Sequence, residues 1–244
     1  MNLSRYNHQA NMKSAIRGVD GCKAGWLCLS VPPNETCPEV KVFGSDGRAL
    51  LQEAALVTAI DIPIGLPSTG RRRVDEIARS LLGPLKSSVF PAPVRSAIAT
   101  TSYEAACAES EKGCGKKLSQ QTFRLLPKIR AVDDALRESP ALLKSVHEVH
   151  PEVCFVYWNG QRPLRNPKKS GWGFVERLAM VQSVFGSAPG KVRAAVSRKQ
   201  ATDDDILDAF AALWTAQRIH DGQAVRVNKT DERDEYGLPM QMWA

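Results

Sequence analysis

Five acidic residues lie at positions where folding could bring them together. Asp20 and Asp61 each end an apolar, strand-like stretch, and Glu152 follows a proline at the end of a third. Asp205 and Asp208 are three residues apart in a helical pattern, which places their Cβ atoms about 5–6 Å apart on one helix face. Because sites in open α/β sheets gather where strand ends face outward, we expect these carboxylates to converge.

Converging carboxylates suit two-metal cleavage of a phosphodiester, in which two ions lie about 3.5–4 Å apart. One ion activates water and the other stabilises the leaving oxygen. Oxygen ligands from Asp and Glu favour Mg²⁺ or Mn²⁺. A structural explanation stays open for each acid: Asp20 can be a turn former. The pair Asp205 and Asp208 can be neutralised by Arg or Lys, or be partly exposed at the helix edge.

The late acids belong to an amphipathic helix predicted over Thr202–His220, whose apolar residues recur at helical spacing. Thr202 can cap its start, and the aspartates at 203–205 lie where the helix dipole favours anions. Capping therefore accounts for three aspartates. It does not account for Asp208, which lies a turn further in, beside the apolar stripe.

The early acids belong to strands. Three successive strands, a short helix and a fourth strand predict an antiparallel meander joined to a further strand. If the chain stays extended past residue 148, then Glu148, His150 and Glu152 point to one side. The predicted strands are Ile16–Asp20, Trp26–Val31, Glu39–Gly44, Val57–Ile60, Val146–His150 and 225–228. The predicted helices are Asp46–Ala55, Gly70–Leu82, Tyr103–Glu111, one within Leu118–Glu138, Trp172–Phe185 and Thr202–His220, with residues 86–100 as an ordered loop and 186–197 as a loop or short helix.

With 244 residues, 43% of them hydrophobic, the chain can bury a core as one domain. We expect a flexible N-terminus at residues 1–14 and a single domain at 15–230, with an insert at about 84–120. Residues 231–244 are expected to form a loosely attached tail. No apolar run approaches the length of a membrane span, so no membrane partner is expected.

The formal net charge of +7 permits a polyanionic partner such as nucleic acid. The basic residues cluster at 71–73, 112–117, 162–169 and 191–199, mostly in predicted loops, where a merely solubilising surface is an equal alternative. The six cysteines show no zinc-binding spacing, and the first residues do not form a secretory signal. We expect a reduced, cytoplasmic protein.

Several linked motifs resemble the domain of unknown function 429 family, which is described as predicted ribonuclease H-like nucleases. They are GVDGCKAGW at 18–26, AIDIPIGLP at 59–67, RRRVDEIARSLLG at 71–83 with SVFPAPVR at 88–95, EVHPEV at 148–153 and DDDILDAFAALWTA at 203–216. The resemblance covers roughly residues 16–240. The order β-β-β-α-β, with acids in the first and fourth strands and D-x-x-D in a late helix, is similar to the Holliday-junction-resolvase branch of the ribonuclease H-like superfamily. It implies an α/β fold with a mixed five-stranded sheet, helices on both faces and an inserted helical or loop region.

The resemblance also implies roles. Asp20 would bridge two ions, and Asp61 and Asp208 would hold one each. Asp205 would be a fourth or outer ligand, and Glu152 a further metal candidate of unassigned role. Asp61 is one methylene shorter than the Glu usual in resolvases, which bears on ion spacing and ion type. The candidate substrate-binding residues, each with a structural contact as the alternative, are Lys23, Arg79, Ser88, Arg95 and His150.

Two rival functions stay open. The stretch VDGCKAG can be the phosphate-binding hairpin of a nucleotide-binding phosphotransferase or ATPase, since Gly21 and Gly25 let backbone N–H groups approach phosphate. A second such hairpin and a glycine-rich adenosine segment are missing from the sequence. The other rival is a non-catalytic nucleic-acid-binding protein. The first choice is a metal-dependent nuclease acting on nucleic acid or a nucleotide, with RNA, DNA and branched substrates, and oligomeric state, left open.

Overall fold

A mixed sheet of five strands organises residues 15–244, the part of the chain that the computed structural model describes. The strands are β1 (Ile16–Cys22), β2 (Gly25–Val31), β3 (Glu39–Phe43), β4 (Val57–Ile60) and β5 (Val146–Glu148), in the order β3-β2-β1-β4-β5. The first three pair antiparallel, whereas β4 runs parallel to β1 and β5 parallel to β4. The α/β class and the mixed five-stranded sheet are confirmed. The N-terminus expected at 1–14 lies outside the described residues.

Nine α-helices accompany the sheet within residues 15–244. They are α1 (Arg48–Gln52), α2 (Arg73–Leu82), α3 (Arg95–Ile98), α4 (Tyr103–Cys114), α5 (Gln120–Glu138), α6 (Pro151–Trp158), α7 (Gly171–Phe185), α8 (Ala188–Ala195) and α9 (Asp203–His220). Short 3₁₀ helices cover Gly83–Ser88 and Pro140–Lys144. The region expected as an ordered loop at 86–100 therefore contains helical turns. In this part of the chain, no helix combines the length and the apolar character needed to cross a membrane.

Alternate strand residues pack into two cores, one on each face of the sheet. Leu27 and Leu29 belong to the core that includes α9, and Trp26 and Cys28 to the core that includes α5. This division follows from the alternation of side chains along a strand. Helices therefore cover both faces, and α9 packs chiefly on β1, the central strand that carries Asp20.

Gly18 allows α9 to lie directly on β1. A Cβ at Gly18 would be 2.1 Å from the backbone nitrogen of Leu213 and 2.4 Å from the carbonyl oxygen of Ala209. Gly18 and Asp20 face the same side of β1, one strand period or about 6.6 Å apart. That distance equals about four residues of helix at about 1.5 Å each. The close contact at Gly18 therefore positions Asp20 beside the turn of α9 that contains Asp205.

Gly18→Ala is expected to lower the free energy of unfolding by about 1–3 kcal/mol, because a methyl group there would force two backbones apart. Urea unfolding measures the loss. The matched control is Gly44→Ala, where an added Cβ meets nothing within 4 Å. Equal losses in the two variants would show that α9 does not depend on close contact at Gly18.

Two predicted strand ends are wrong. β1 continues past Asp20 to Cys22, which pairs with Gly25, so Asp20 lies within the strand, opposite Leu27. β5 ends at Glu148, and α6 begins at Pro151, whose fixed φ suits a first helical position. The chain therefore does not stay extended through Glu152, and the expectation that three residues there point to one side is wrong.

The loose attachment expected for residues 231–244 is also wrong. Leu238, Met242 and Ala244 are buried, and the backbone N–H of Trp243 donates to the carbonyl of Glu148 at 2.9 Å. The strand predicted at 225–228 is reduced to single bridges, although Val225 exchanges backbone hydrogen bonds with Ala244 at 2.8 and 3.0 Å. The C-terminal residues therefore complete the core beside β5.

Candidate functional site

The carboxyl ends of three parallel strands form one edge of the sheet, and the predicted acids gather there. Asp20 lies near the end of β1. Asp61 follows β4 directly, and its backbone N–H donates to the carbonyl of Val19 at 3.0 Å, which fixes it beside β1. Because β1, β4 and β5 are parallel neighbours, α6 starts at the same edge. The structure thus brings Asp20 and Asp61 together.

The capping contacts at the N-terminus of α9 fix Asp205. Thr202 and Asp205 form a reciprocal capping box: the Thr202 hydroxyl accepts the Asp205 N–H at 3.2 Å, and Asp205 Oδ2 accepts the Thr202 N–H at 2.7 Å. One oxygen of Asp205 is therefore committed to the cap. Asp203 is held by Arg193 at 3.2 Å and Arg198 at 2.7 Å.

Asp20 experiences the combined negative charge of the cluster. Burial first, then the charges of Asp208, Asp61 and Asp205, raises its pKa well above the usual value of an aspartate. Burial also raises the pKa of Asp208 to about 6, with Asp61 and Glu152 adding to the rise and Lys168 opposing it. Mutual repulsion of this kind requires that the four aspartates share one region.

The carboxylates of Asp20 and Asp61 lack protein donors. Asp20 is only 5% exposed and Asp61 is partly buried. Within residues 15–244 neither carboxylate accepts a hydrogen bond from the protein, although neither is among the fully buried atoms that lack a partner. The backbone amide of Asp61 is bonded. A buried carboxylate without a donor or a cation is costly. This is the feature of the site that its structural contacts do not explain.

Two lysines flank the cluster. Lys168 Nζ lies 2.7 Å from Asp208 Oδ2, and the charge of Asp208 raises the pKa of Lys168. Lys128, on α5, donates to the carbonyls of Cys22 and Gly25 at 2.9 and 2.8 Å, so it closes over the β1–β2 turn. Burial lowers the pKa of Lys128. The sequence pointed to Lys168 only as one member of a basic cluster, and it gave no signal for Lys128.

Glu152, which was expected to be a metal candidate, is instead paired with an arginine. Its two carboxylate oxygens face the guanidinium of Arg177, with Nε–Oε1 at 2.8 Å and Nη2–Oε2 at 2.5 Å, and both side chains are buried. Arg177 Nη1 also donates to the carbonyls of Asn166 and Gly173 at 3.1 and 2.9 Å. Glu152 therefore holds Arg177, which in turn holds the loop that carries Lys168.

The residues expected to bind substrate make structural contacts, apart from Lys23. Arg95 is buried against Asp133, with two contacts of 2.9 Å, and also against Asp234. The Arg79 guanidinium donates to the carbonyl of Val89. The ring nitrogen Nε2 of His150 lies 3.2 Å from the carbonyl of Ser88. These contacts match the structural alternative for Arg79, Arg95 and His150. Ser88 is engaged through its backbone carbonyl, and Lys23 is exposed on the β1–β2 turn.

A family model described as "Protein of unknown function (DUF429)" matches residues 18–233, which is most of the chain. The chain belongs to the DUF429 family. Comparisons with curated proteins and with solved structures gave no match. The matched range contains all of the aspartates that converge at the sheet edge, together with Lys128 and Lys168.

The carboxylates of this DUF429 site are oxygen donors of the type that a divalent cation takes. In the conformation described for residues 15–244, no three Asp, Glu, His or Cys side chains are arranged to hold one metal ion. The ammonium of Lys168 forms an ion pair with Asp208. The two carboxylates without donors, Asp20 and Asp61, are hard oxygen ligands of the kind that Mg²⁺ and Mn²⁺ take.

The site of the DUF429 protein predicts a pH effect on stability. The folded pKa of Asp208, about 6, lies above the unfolded value of about 3.9. The contribution of Asp208 to the free energy of unfolding is therefore fully present below about pH 4 and is lost as pH rises through 6. The free energy of unfolding of Asp208→Asn, relative to that of the wild type, should therefore increase by on the order of 2 kcal/mol as pH rises between those limits. Urea unfolding with EDTA measures the difference.

Comparing the two proteins at each pH removes an opposing contribution. Burial lowers the pKa of His147 to about 4, so His147 stabilises the fold increasingly as pH rises. This contribution is common to both proteins and cancels in the difference. A difference that stays constant from pH 4 to 7 would contradict the proposed charge repulsion.

Proposed function

We propose that this DUF429 protein is a divalent-metal-dependent phosphodiester hydrolase of the ribonuclease H-like type. The β-β-β-α-β order, the acids on β1 and after β4, and the acidic pair on α9 support the proposal, because these are the features on which the resemblance to such nucleases depends. The observation that carries it is Asp20: a buried carboxylate without a protein donor, surrounded by three other aspartates. A doubly charged cation would relieve that repulsion.

The residues that would hold Mg²⁺ or Mn²⁺ are Asp20, Asp61 and the oxygen of Asp208 that Lys168 leaves free. Asp205 would contribute its second oxygen, because the cap uses only Oδ2. When bound, the metal supplies an activated water and neutralises charge on the scissile phosphate. The buried surroundings of Asp20 limit access of bulk water and strengthen each charge interaction.

The two lysines have separate roles in this proposal. Lys168 holds Asp208 in place and presents a positive charge beside it, where a phosphate can take over part of the contact. Lys128 fixes the β1–β2 turn through two carbonyls and thereby holds the end of β1 in position. Lys168 therefore acts on the substrate side and Lys128 is a positioning residue.

The test is a cleavage assay with single-stranded and double-stranded DNA and RNA and a four-way junction, each with Mn²⁺, Mg²⁺ or EDTA. Cleavage of at least one substrate with metal, and none with EDTA, supports the proposal. Crystals soaked in Mn²⁺ should show ions about 2.0–2.3 Å from Asp20 and Asp61. Binding without cleavage under every condition would contradict it, as would thermal stabilisation by nucleotides alone.

A further inference from the structure

An exposed aromatic side chain lies close to the acidic site. Trp172 is 76% exposed in the first turn of α7, and Val175, one turn later on the same face, is 51% exposed. Trp172 is four positions after Lys168, which contacts Asp208, so their Cα atoms lie at most about 15 Å apart. The other four tryptophans are buried or partly buried. Trp172 therefore differs from them in presenting its ring to solvent.

The segment before Trp172 carries positive charge that the protein leaves uncompensated. Arg162, Arg165 and Lys169 are exposed. Across residues 15–244, none of these three forms an ion pair, whereas Lys168 in the same loop is paired with Asp208. A solvent-exposed aromatic ring that follows a loop with free cations is complementary to a nucleobase attached to a phosphate backbone.

This loop and the start of α7 form one fixed unit. The carbonyl of Pro167 accepts hydrogen bonds from the backbone N–H and the hydroxyl of Ser170, at 2.9 and 2.8 Å. A Cβ at Gly173 would lie 2.0 Å from that carbonyl oxygen, so loop and helix touch directly. Arg177, itself held by Glu152, binds the carbonyl of Asn166 at 3.1 Å. The position of Trp172 relative to the acids is therefore set by the fold.

We propose that Trp172 is a stacking platform for an unpaired nucleobase, and that Arg162, Arg165 and Lys169 bind the adjoining phosphates. The inference rests on the proposed hydrolase function and names its substrate class, a single-stranded nucleic acid or a single-stranded region of one. A base in a duplex is already stacked on both faces, so an indole ring selects for unpaired bases. The strand then runs from the platform towards the acidic site.

The experiment measures binding separately from cleavage. A labelled single-stranded oligonucleotide is titrated with the full-length protein in EDTA, and binding is followed by fluorescence anisotropy. Trp172→Ala should weaken binding about tenfold, the effect of losing one stacked base, and Trp172→Phe should weaken it less. Lys169→Ala should weaken binding and lower the slope of log K against log salt by about one.

The controls lie at the opposite edge of the sheet. Leu56 is 40% exposed just before β4, and Lys144 is exposed just before β5, so Leu56→Ala and Lys144→Ala remove a matched apolar group and a matched charge. Both variants should bind like the wild type. Folding of every variant is checked by its urea midpoint.

Three results would overturn the platform. The first is wild-type affinity in Trp172→Ala, and the second is tighter binding of duplex than of single strand. The third is Trp172-dependent binding to anionic vesicles but not to oligonucleotide. The two proposals fail in distinguishable ways. Cleavage that does not depend on Trp172 overturns the platform alone. Binding to a single strand that depends on Trp172, with no cleavage in any metal, supports the platform and overturns the hydrolase.

Discussion

Asp20→Asn is expected to reduce metal-dependent cleavage at least about 100-fold and to stabilise the metal-free protein. Loss of an outer contact at a metal site costs about 10- to 100-fold, so loss of a central ligand should cost at least the upper value. Stability should increase at pH 7, because burial and three neighbouring aspartates disfavour the ionised carboxylate that the amide replaces. The amide can also donate a hydrogen bond to a neighbouring carboxylate.

Cleavage rates in Mn²⁺ and urea unfolding in EDTA measure the two effects. The matched control is Asp203→Asn, since Asp203 also belongs to the N-terminus of α9 but is held by Arg193 and Arg198. That variant should cleave normally and be slightly less stable. If Asp20→Asn were destabilised and still cleaved, Asp20 would be a structural residue and the proposed site would be wrong.

Metal binding should reverse the order of stability of the wild type and Asp20→Asn. A ligand that binds only the folded state stabilises it by about 2.7 kcal/mol at 100 times its dissociation constant. The wild type gains this amount in Mn²⁺, whereas Asp20→Asn gains little. Asp20 therefore destabilises the metal-free protein, because the neighbouring aspartates repel it. The same residue stabilises the metal-bound protein, because it holds the ion.

The placement of Asp61 beside Asp20 was predictable from local sequence features. Asp61 follows a short apolar strand just before Pro63, and parallel strands end at one edge. The capping pattern at Thr202 predicted the start of α9 to the residue. Each of these features depends on a few neighbouring residues, and so a single sequence reveals them.

The partners of the acids were not predictable, because they come from distant parts of the chain. Lys168 pairs with Asp208 across 40 residues and Arg95 with Asp234 across 139. Sequence spacing says nothing of such pairs, which depend on how helices pack. The burial of the C-terminal residues was missed for the same reason, since Met242 gains its apolar contacts from the rest of the core. Glu152 was misplaced because Pro151 was interpreted as a strand end, although proline also favours a first helical turn.

Glu152→Ala is expected to lower the free energy of unfolding by about 3–5 kcal/mol, because it leaves the guanidinium of Arg177 buried without a counter-charge. Arg177 is 1% exposed, and water cannot solvate it where it lies. Urea unfolding in EDTA measures the loss. A value below about 1 kcal/mol would contradict the structural role.

The double variant Glu152→Leu with Arg177→Met provides the control. Replacing a buried ion pair with apolar side chains is often neutral or stabilising, so the double variant should recover most of the loss. It also removes the hydrogen bond from Arg177 to the carbonyl of Asn166, and the loop that carries Lys168 loses its anchor. We therefore expect normal stability but weaker binding of single strands. If Glu152 were a metal ligand, Glu152→Ala would lower Mn²⁺ affinity and leave metal-free stability unchanged, which is the opposite result.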